Sequence, residues 1–393
     1  MEKQDIKSLA VQGIVSRREE LAELSRKIHS RPELAFKEVR AAEWLAGYLE
    51  ASGFTVERGF GGLKTAFRAT AGAGSPAIAL LAEYDALPGV GHACGHNLIA
   101  AIAAGAGAAL GPLLAGTGGT VLVIGTPGEE MYGGKALMAE RGCFDGVDAA
   151  MMVHPGVSNT IGVRSLACQG LKVEFFGRAS HAASRPEDGI NALEAMIQSF
   201  NAVNSLRQHI DEKARIHGII TRGGEAPNVV PAYAAGEFLV RSEQDGYLDE
   251  LKGRTLDCFI GAATATGARL EYKWGRVRYA AMRNNLTISR LFRDNMRELG
   301  REASPPEARM NFGSTDMGNV SRLVPSIHPM IAIAPPGVLV HSPEFAEAAG
   351  GEEGLRGLLD GAKALAMTAV DILADPGVVR DIKEEFRRSE NPA

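Results

Sequence analysis

Leu9, Val11, Ile14, Leu21, Leu24 and Ile28 recur at helical spacing, which predicts one amphipathic helix over 4–28. A second helix is expected over 37–52, with Trp44, Leu45, Tyr48 and Leu49 facing inward and Gly53 as its stop. The period then shortens. Apolar runs at 78–82, 119–125 and 147–153 read as buried strands, separated by helices at 98–114 and 134–141. This alternation predicts an α/β domain, a mostly parallel sheet with helices on both faces. The stretch 168–280 differs. Strands at 172–176, 216–221, 232–241 and 269–273 and helices at 188–206 and 244–264 follow the order β-α-β-β-α-β, which predicts an inserted ferredoxin-like α+β domain. A helix at 286–299, a strand at 325–334 and a helix at 353–374 complete the first domain, which is thus discontinuous over 1–167 and 281–393.

A chain of 393 residues has room for two or three domains, and 45% hydrophobic with 23% charged residues suits a globular core. The formal net charge of −5 argues against a nucleic-acid partner, which calls for a basic face. No run of about 18 apolar residues suggests a membrane span; the longest small-apolar stretch, 98–110, reads as a buried helix. The start Met-Glu-Lys-Gln-Asp does not resemble a signal peptide. Four cysteines without a C-x-x-C pair fit a reducing, cytoplasmic setting.

Of nine histidines, His29, His209, His217 and His328 read as surface or structural. Four other features suggest chemistry. Gly91-His-Ala-Cys-Gly-His-Asn97 packs two imidazoles and a thiol into five residues of a Gly-flanked loop, where a thiolate and an imidazole can converge on a metal. Glu129 and Glu130 follow the run 119–125; neighbouring extended residues point to opposite sides, so one can ligate while the other faces substrate. His154 ends the run 147–153, and His341 precedes a Ser-Pro helix start. Asp85, Glu129, Glu130 and His154 all follow strands, and in an open parallel sheet ligands gather at the carboxyl ends. That yields Cys94, His96, Glu130, His154 and His341 as metal ligands with Glu129 free. Five donors exceed one catalytic zinc and suit two ions sharing a bridge, with Glu129 as general base toward an activated water.

At these residues the chain resembles the aminoacylase/carboxypeptidase metallopeptidase family in its amidohydrolase branch, relatives of hippurate, indole-acetyl-amino-acid and aminobenzoyl-glutamate hydrolases. The motifs are Glu83-Tyr-Asp-Ala-Leu-Pro88, His92-Ala-Cys-Gly-His96, Pro127-Gly-Glu-Glu130, His154-Pro155, Ser180-His-Ala182, Asn228-Val-Val-Pro231, Gly313-Ser-Thr-Asp316 and His341-Ser-Pro343, in that order. The resemblance implies a di-metal amide hydrolase whose inserted domain is a lid and dimerisation domain, hence a homodimer. It makes the same five residues the ligands, Glu129 the base and Asp85 a support at the site. It also makes His181 a lid histidine that reaches the partner subunit's active site, and Asn228 and Arg241 lid residues that hold substrate. It favours manganese, whereas thiolate softness favours zinc. Asn97 and the Gly313-Ser-Thr-Asp-Met-Gly-Asn319 run depart from the more acidic pattern of the hippurate type, toward the aminobenzoyl-glutamate and dipeptide-cleaving subgroup.

The expected substrate is a small N-acyl or N-aroyl amino acid or an unusual dipeptide. Two alternatives are a hydrolytic deaminase of a small aromatic amine and a metal-bearing binding protein without turnover, although binding alone needs no free base. A dinucleotide-dependent dehydrogenase is disfavoured, because no strand loop carries G-x-G-x-x-G.

Overall fold

The computed structural model describes residues 2–306 and 313–390. They divide into two compact units. One holds the chain up to Arg164, the stretch starting at Met282 and the stretch from Asp316; the other holds Ser165–Ala281 and 313–315.

The first unit is built on a six-stranded sheet. Its strands are β1 (Thr55–Arg58), β2 (Phe67–Ala73), β3 (Ala77–Ala82), β4 (Gly119–Gly125), β5 (Ala149–Met151) and β11 (Ser326–Ile327), in the order β1-β2-β4-β3-β5-β11. β4, β3, β5 and β11 run parallel, while β2 and β1 extend the sheet antiparallel. β1 is exposed and β2 is rich in Ala and Gly, so neither gives an apolar run. The core helix His96–Leu110 is buried along its whole length and packs on β3, β4 and the long helix Glu352–Leu373. The segment His96–Thr117 is apolar enough to cross a membrane by composition, yet most of it lies inside this core.

Three expectations change. The helix expected over 4–28 is two, Lys3–Ser16 and Arg18–His29, broken at Arg17, whose backbone leaves the helical region. The strand expected over 147–153 is β5 alone, and a separate strand, β6 (His154–Gly156), follows. The strand expected over 325–334 likewise splits into β11 and β12 (Met330–Ala332), and β12 pairs with β6 in a two-stranded sheet. Pro329 sits at the second break, and proline cannot donate to a ladder; the first falls at Met152 and Val153, and Pro155 lies inside β6. The helix Pro376–Glu390 was not expected, although Val378, Val379, Ile382 and Phe386 fall at helical spacing along it.

The second unit is a four-stranded antiparallel sheet. β7 (Ala167–Phe176), β8 (Arg215–Arg222), β9 (Tyr233–Ser242) and β10 (Arg269–Tyr279) lie in the order β10-β7-β9-β8. Helices Ala192–Leu206 and Asp245–Thr266 share a core with Leu171, Val173, Phe175 and Phe238 of that sheet. Together they give the expected β-α-β-β-α-β order.

Candidate metal centre

Four adjacent parallel strands deliver polar side chains to one edge of the six-stranded sheet. β3 leads into Glu83 and Asp85, β4 into Glu129 and Glu130, β5 into His154 and β11 into His328. Cys94 lies at the centre of the group. Its Sγ is 3.4 Å from His154 Nε2 and 3.3 Å from His341 Nε2. Two donor groups share this sulfur, one of Cys94, His96 and His154 and the other of Cys94, Glu130 and His341; within each, the ligand atoms lie within 4.8 Å of one another. Glu130 Oε1 is 3.4 Å from His341 Nε2, and His96, Glu129 and Glu130 form a further group.

Local backbone fixes this arrangement. Gly95 has φ +79°, and a Cβ there would lie 2.4 Å from Pro155 Cγ, so only glycine lets the Cys94 loop close onto His154. His341 also holds a left-handed φ of 73°, strained for a side chain of this kind, while its N–H donates to Ala93 O at 2.9 Å. His96 Nδ1 meets Asp85 Oδ1 at 3.0 Å and His154 Nδ1 meets Pro155 O at 2.7 Å, which leaves both Nε2 atoms for the centre. Asp85 Oδ2 accepts the Glu130 N–H at 3.0 Å, so one carboxylate orients two donors.

Beneath this layer is a network that the sequence did not disclose. Lys135, fully buried, donates from Nζ to Glu83 and, at 2.8 Å, to Asp316; its backbone N–H donates to the other Asp316 oxygen at 2.7 Å. Glu83 Oε2 lies 3.4 Å from His96 Nε2. Glu83, Glu129 and Asp316 each bring an oxygen within 4.8 Å of the others. Glu83 and Asp316 stand in the quoted motifs without an assigned role, and Lys135 is marked only by its place five residues after a Glu pair, where a lysine is ordinarily exposed. His328, set aside as structural, is buried with its ring centroid 5.4 Å from that of His154 and neither nitrogen hydrogen-bonded.

The electrostatics follow from burial and these neighbours. Burial pushes the Cys94 thiol up, with the His96 charge countering it. Burial works against the His96 imidazolium, yet Cys94, Asp85 and Glu83 raise its pKa well above the usual value. Burial lowers His154 to about 4 and, with His154 beside it, His328 to about 3. Desolvation and the Glu83 and Asp316 charges lift Glu129 well above the carboxylate range. Burial opposes ionisation of Glu83 too, but Lys135 and His96 hold it at about 2.

A soft thiolate, three imidazoles and a carboxylate in two groups joined at sulfur suit a pair of divalent transition-metal ions. Glu130 Oε1, His96 Nε2 and Glu83 Oε2 are buried polar atoms without a hydrogen-bond partner, as ligand atoms and their close neighbours would be. His92 stays apart; it is buried, stacks on His29 at 6.1 Å and joins no donor group. Asn97 also has a structural task. Its Nδ2 donates to Ser25 Oγ and Ala349 O, and an aspartate could not supply those protons.

The remaining candidates lie in the second unit. His181 is exposed, and its Nδ1 accepts the Ala183 and Ser184 N–H groups. Asn228 is exposed and accepts the Ala182 N–H through its carbonyl. Arg241 is half-buried on β9 opposite Cys168, its Nε without a partner.

A sheet that gathers thiolate, imidazoles and carboxylates at its carboxyl edge belongs to a metallohydrolase. Residues 79–370 match Peptidase family M20/M25/M40, and the chain is a member of that family. It is 39% identical to the Xaa-Arg dipeptidase of Mus musculus, covering 97% of this chain and 92% of that protein. It is 32% identical to one of the chains of the p-aminobenzoyl-glutamate hydrolase of Escherichia coli K12, over 98% of this chain and 95% of that one. A dinuclear metal binding peptidase of the M20 family from Bacillus subtilis has the same fold, with a TM-score of 0.70 at 24% identity over 91% of this chain and 99% of that one. The protein is thus an amidohydrolase of the metallopeptidase class that acts on small-molecule substrates.

Proposed function

We propose that Cys94, His96, Glu130, His154 and His341 would hold two divalent ions, manganese before zinc, Cys94 belonging to both donor groups. The observation that carries this reading is the pair of donor groups meeting at one sulfur. Ions held there would supply polarisation of the scissile carbonyl and acidification of water. Glu129 accepts the proton of the attacking water and returns it to the departing nitrogen.

The substrate we favour is a dipeptide ending in arginine, because the Xaa-Arg dipeptidase matches nearly end to end. An aminobenzoyl-glutamate-like N-aroyl amino acid is the second reading, supported by the p-aminobenzoyl-glutamate hydrolase relative. In this scheme Asn228 and Arg241 hold the substrate and His181 serves the site of a partner subunit in a homodimer joined through the inserted unit. Two features support this: β8 is an edge strand with Ile219 and Ile220 exposed, and the Nδ1 contacts of His181 leave Nε2 to donate outward. The four free cysteines agree with a cytoplasmic setting.

Glu129→Gln tests the chemistry. Metal content should be retained while hydrolysis of Xaa-Arg dipeptides and aminobenzoyl-glutamate falls by at least ~100-fold, the low end for a general base. Activity near that of the unmodified enzyme would remove Glu129 from the mechanism. A mass of one chain at micromolar concentration would remove both the dimer and the role of His181.

A further inference from the structure

We propose that Lys135 is a positioning residue for hydrolysis, the resident cation that holds Glu129 in place from below. The inference rests on Glu129 as the base. Glu83, Glu129 and Asp316 each place an oxygen within 4.8 Å of the other two. Three carboxylates so close repel one another and spread apart unless a cation sits among them. Lys135 is that cation, with no side-chain exposure. Its Nζ binds Glu83 and Asp316, and its own N–H binds the second Asp316 oxygen, so head and backbone are tied to one residue.

This tie reaches the reacting layer by two routes. Glu83, gripped at Oε1, presents Oε2 at 3.4 Å to His96 Nε2. Lys135 also begins the helix Gly134–Glu140, and the short helix just before it, Glu129–Tyr132, carries Glu129 and Glu130. A shift at Lys135 would displace the base first; of the proposed ligands only Glu130 shares its helix and only His96 meets Glu83, and both keep the Asp85 oxygens that hold them, while Cys94, His154 and His341 lie off both routes.

The test compares Lys135→Met, Lys135→Arg, the charge-balanced pair Lys135→Met/Asp316→Asn, and Glu129→Gln. Each is loaded with manganese and assayed on an Xaa-Arg dipeptide, with metal per chain measured by elemental analysis and folding by circular dichroism. Lys135→Met and the pair should lose roughly 100-fold in kcat, the upper range for a supporting residue, with KM within about threefold and metal content unchanged. Lys135→Arg should recover at least about tenfold of the loss. The pair guards against a Lys135→Met chain that does not fold, since it buries no extra charge. A kcat within about threefold of the unmodified enzyme in either Met variant, or loss of metal or fold in the pair, would overturn the proposal. If Glu129→Gln stays active, the base assignment itself fails; if it is inactive while the pair is active, Lys135 alone is wrong.

Discussion

Asp85 offers the sharpest test of how the centre is oriented. Its two oxygens accept from different donors, the His96 ring at 3.0 Å and the Glu130 N–H at 3.0 Å. Asparagine can satisfy only one of them. If the amide oxygen keeps Glu130, the NH2 group donates to His96 Nδ1, which forces the ring proton onto Nε2 and blocks the ligating atom. If the oxygen keeps His96, a buried N–H faces an NH2 group and goes unpaired, at a cost of about 1–3 kcal/mol. Loss of an orienting partner behind a metal-bound histidine typically weakens metal binding ~10–100-fold, or about 1.4–2.7 kcal/mol. Titration of metal-free Asp85→Asn with manganese and with zinc, against a competing chelator, should show a rise in Kd of that size. Affinity within about twofold of the unmodified protein would refute the idea that Asp85 sets the ring.

Glu38 is fully buried, with Oε1 unpartnered and Thr65 on Oε2; burial lifts its pKa from 4.5 to about 7. Its folded value exceeds its unfolded one, so stability should fall as pH rises from about 4.5 to 7 and then level off, by at most about 3 kcal/mol; Glu38→Gln should flatten this slope in urea unfolding, and an unchanged slope would assign it elsewhere. Gly107→Ala would set a Cβ 2.4 Å from Val123 Cγ2. Overpacking of about 1–3 kcal/mol outweighs the gain of about 1 kcal/mol in helix propensity, so the urea midpoint should drop, and a raised midpoint would contradict the packing of this helix on β4. His341→Ala should halve the metal content found by elemental analysis, since it strips only one of the two donor groups; full retention would exclude His341 as a ligand.

The sequence disclosed what periodicity and residue chemistry encode. β4 and the parallel core were legible because both faces of those strands are apolar, and the donor residues because they follow such strands. β1 and β2 were not, since an exposed strand and an Ala-Gly strand lack the pattern. The break at Pro329 was in principle readable, but the one at Met152 and Val153 falls inside an apolar run that masks the change of sheet. The layer of Glu83, Lys135 and Asp316 was opaque for another reason. A buried lysine looks in sequence like any surface lysine, and its partners are 52 and 181 residues away.

These layers together account for the asymmetry of the centre. Cys94, His96 and His154 are buried, flank the core helix or follow a strand, and have their rings fixed by Asp85 and by a backbone carbonyl. The other donor group borrows Cys94 and completes itself with Glu130 and with His341, whose side chain is 50% exposed on a strained backbone. A rigid, enclosed group holds an ion with little reorganisation, whereas a group finished by a strained, half-exposed residue must order that residue on binding. In the proposed two-ion scheme the first group should therefore hold its ion more tightly and the second should exchange its ion more readily. In the same scheme the side where His341 stands, half-exposed, is the one that would admit a substrate carbonyl and an attacking water. The buried donor group and the more open one thus meet at a single sulfur.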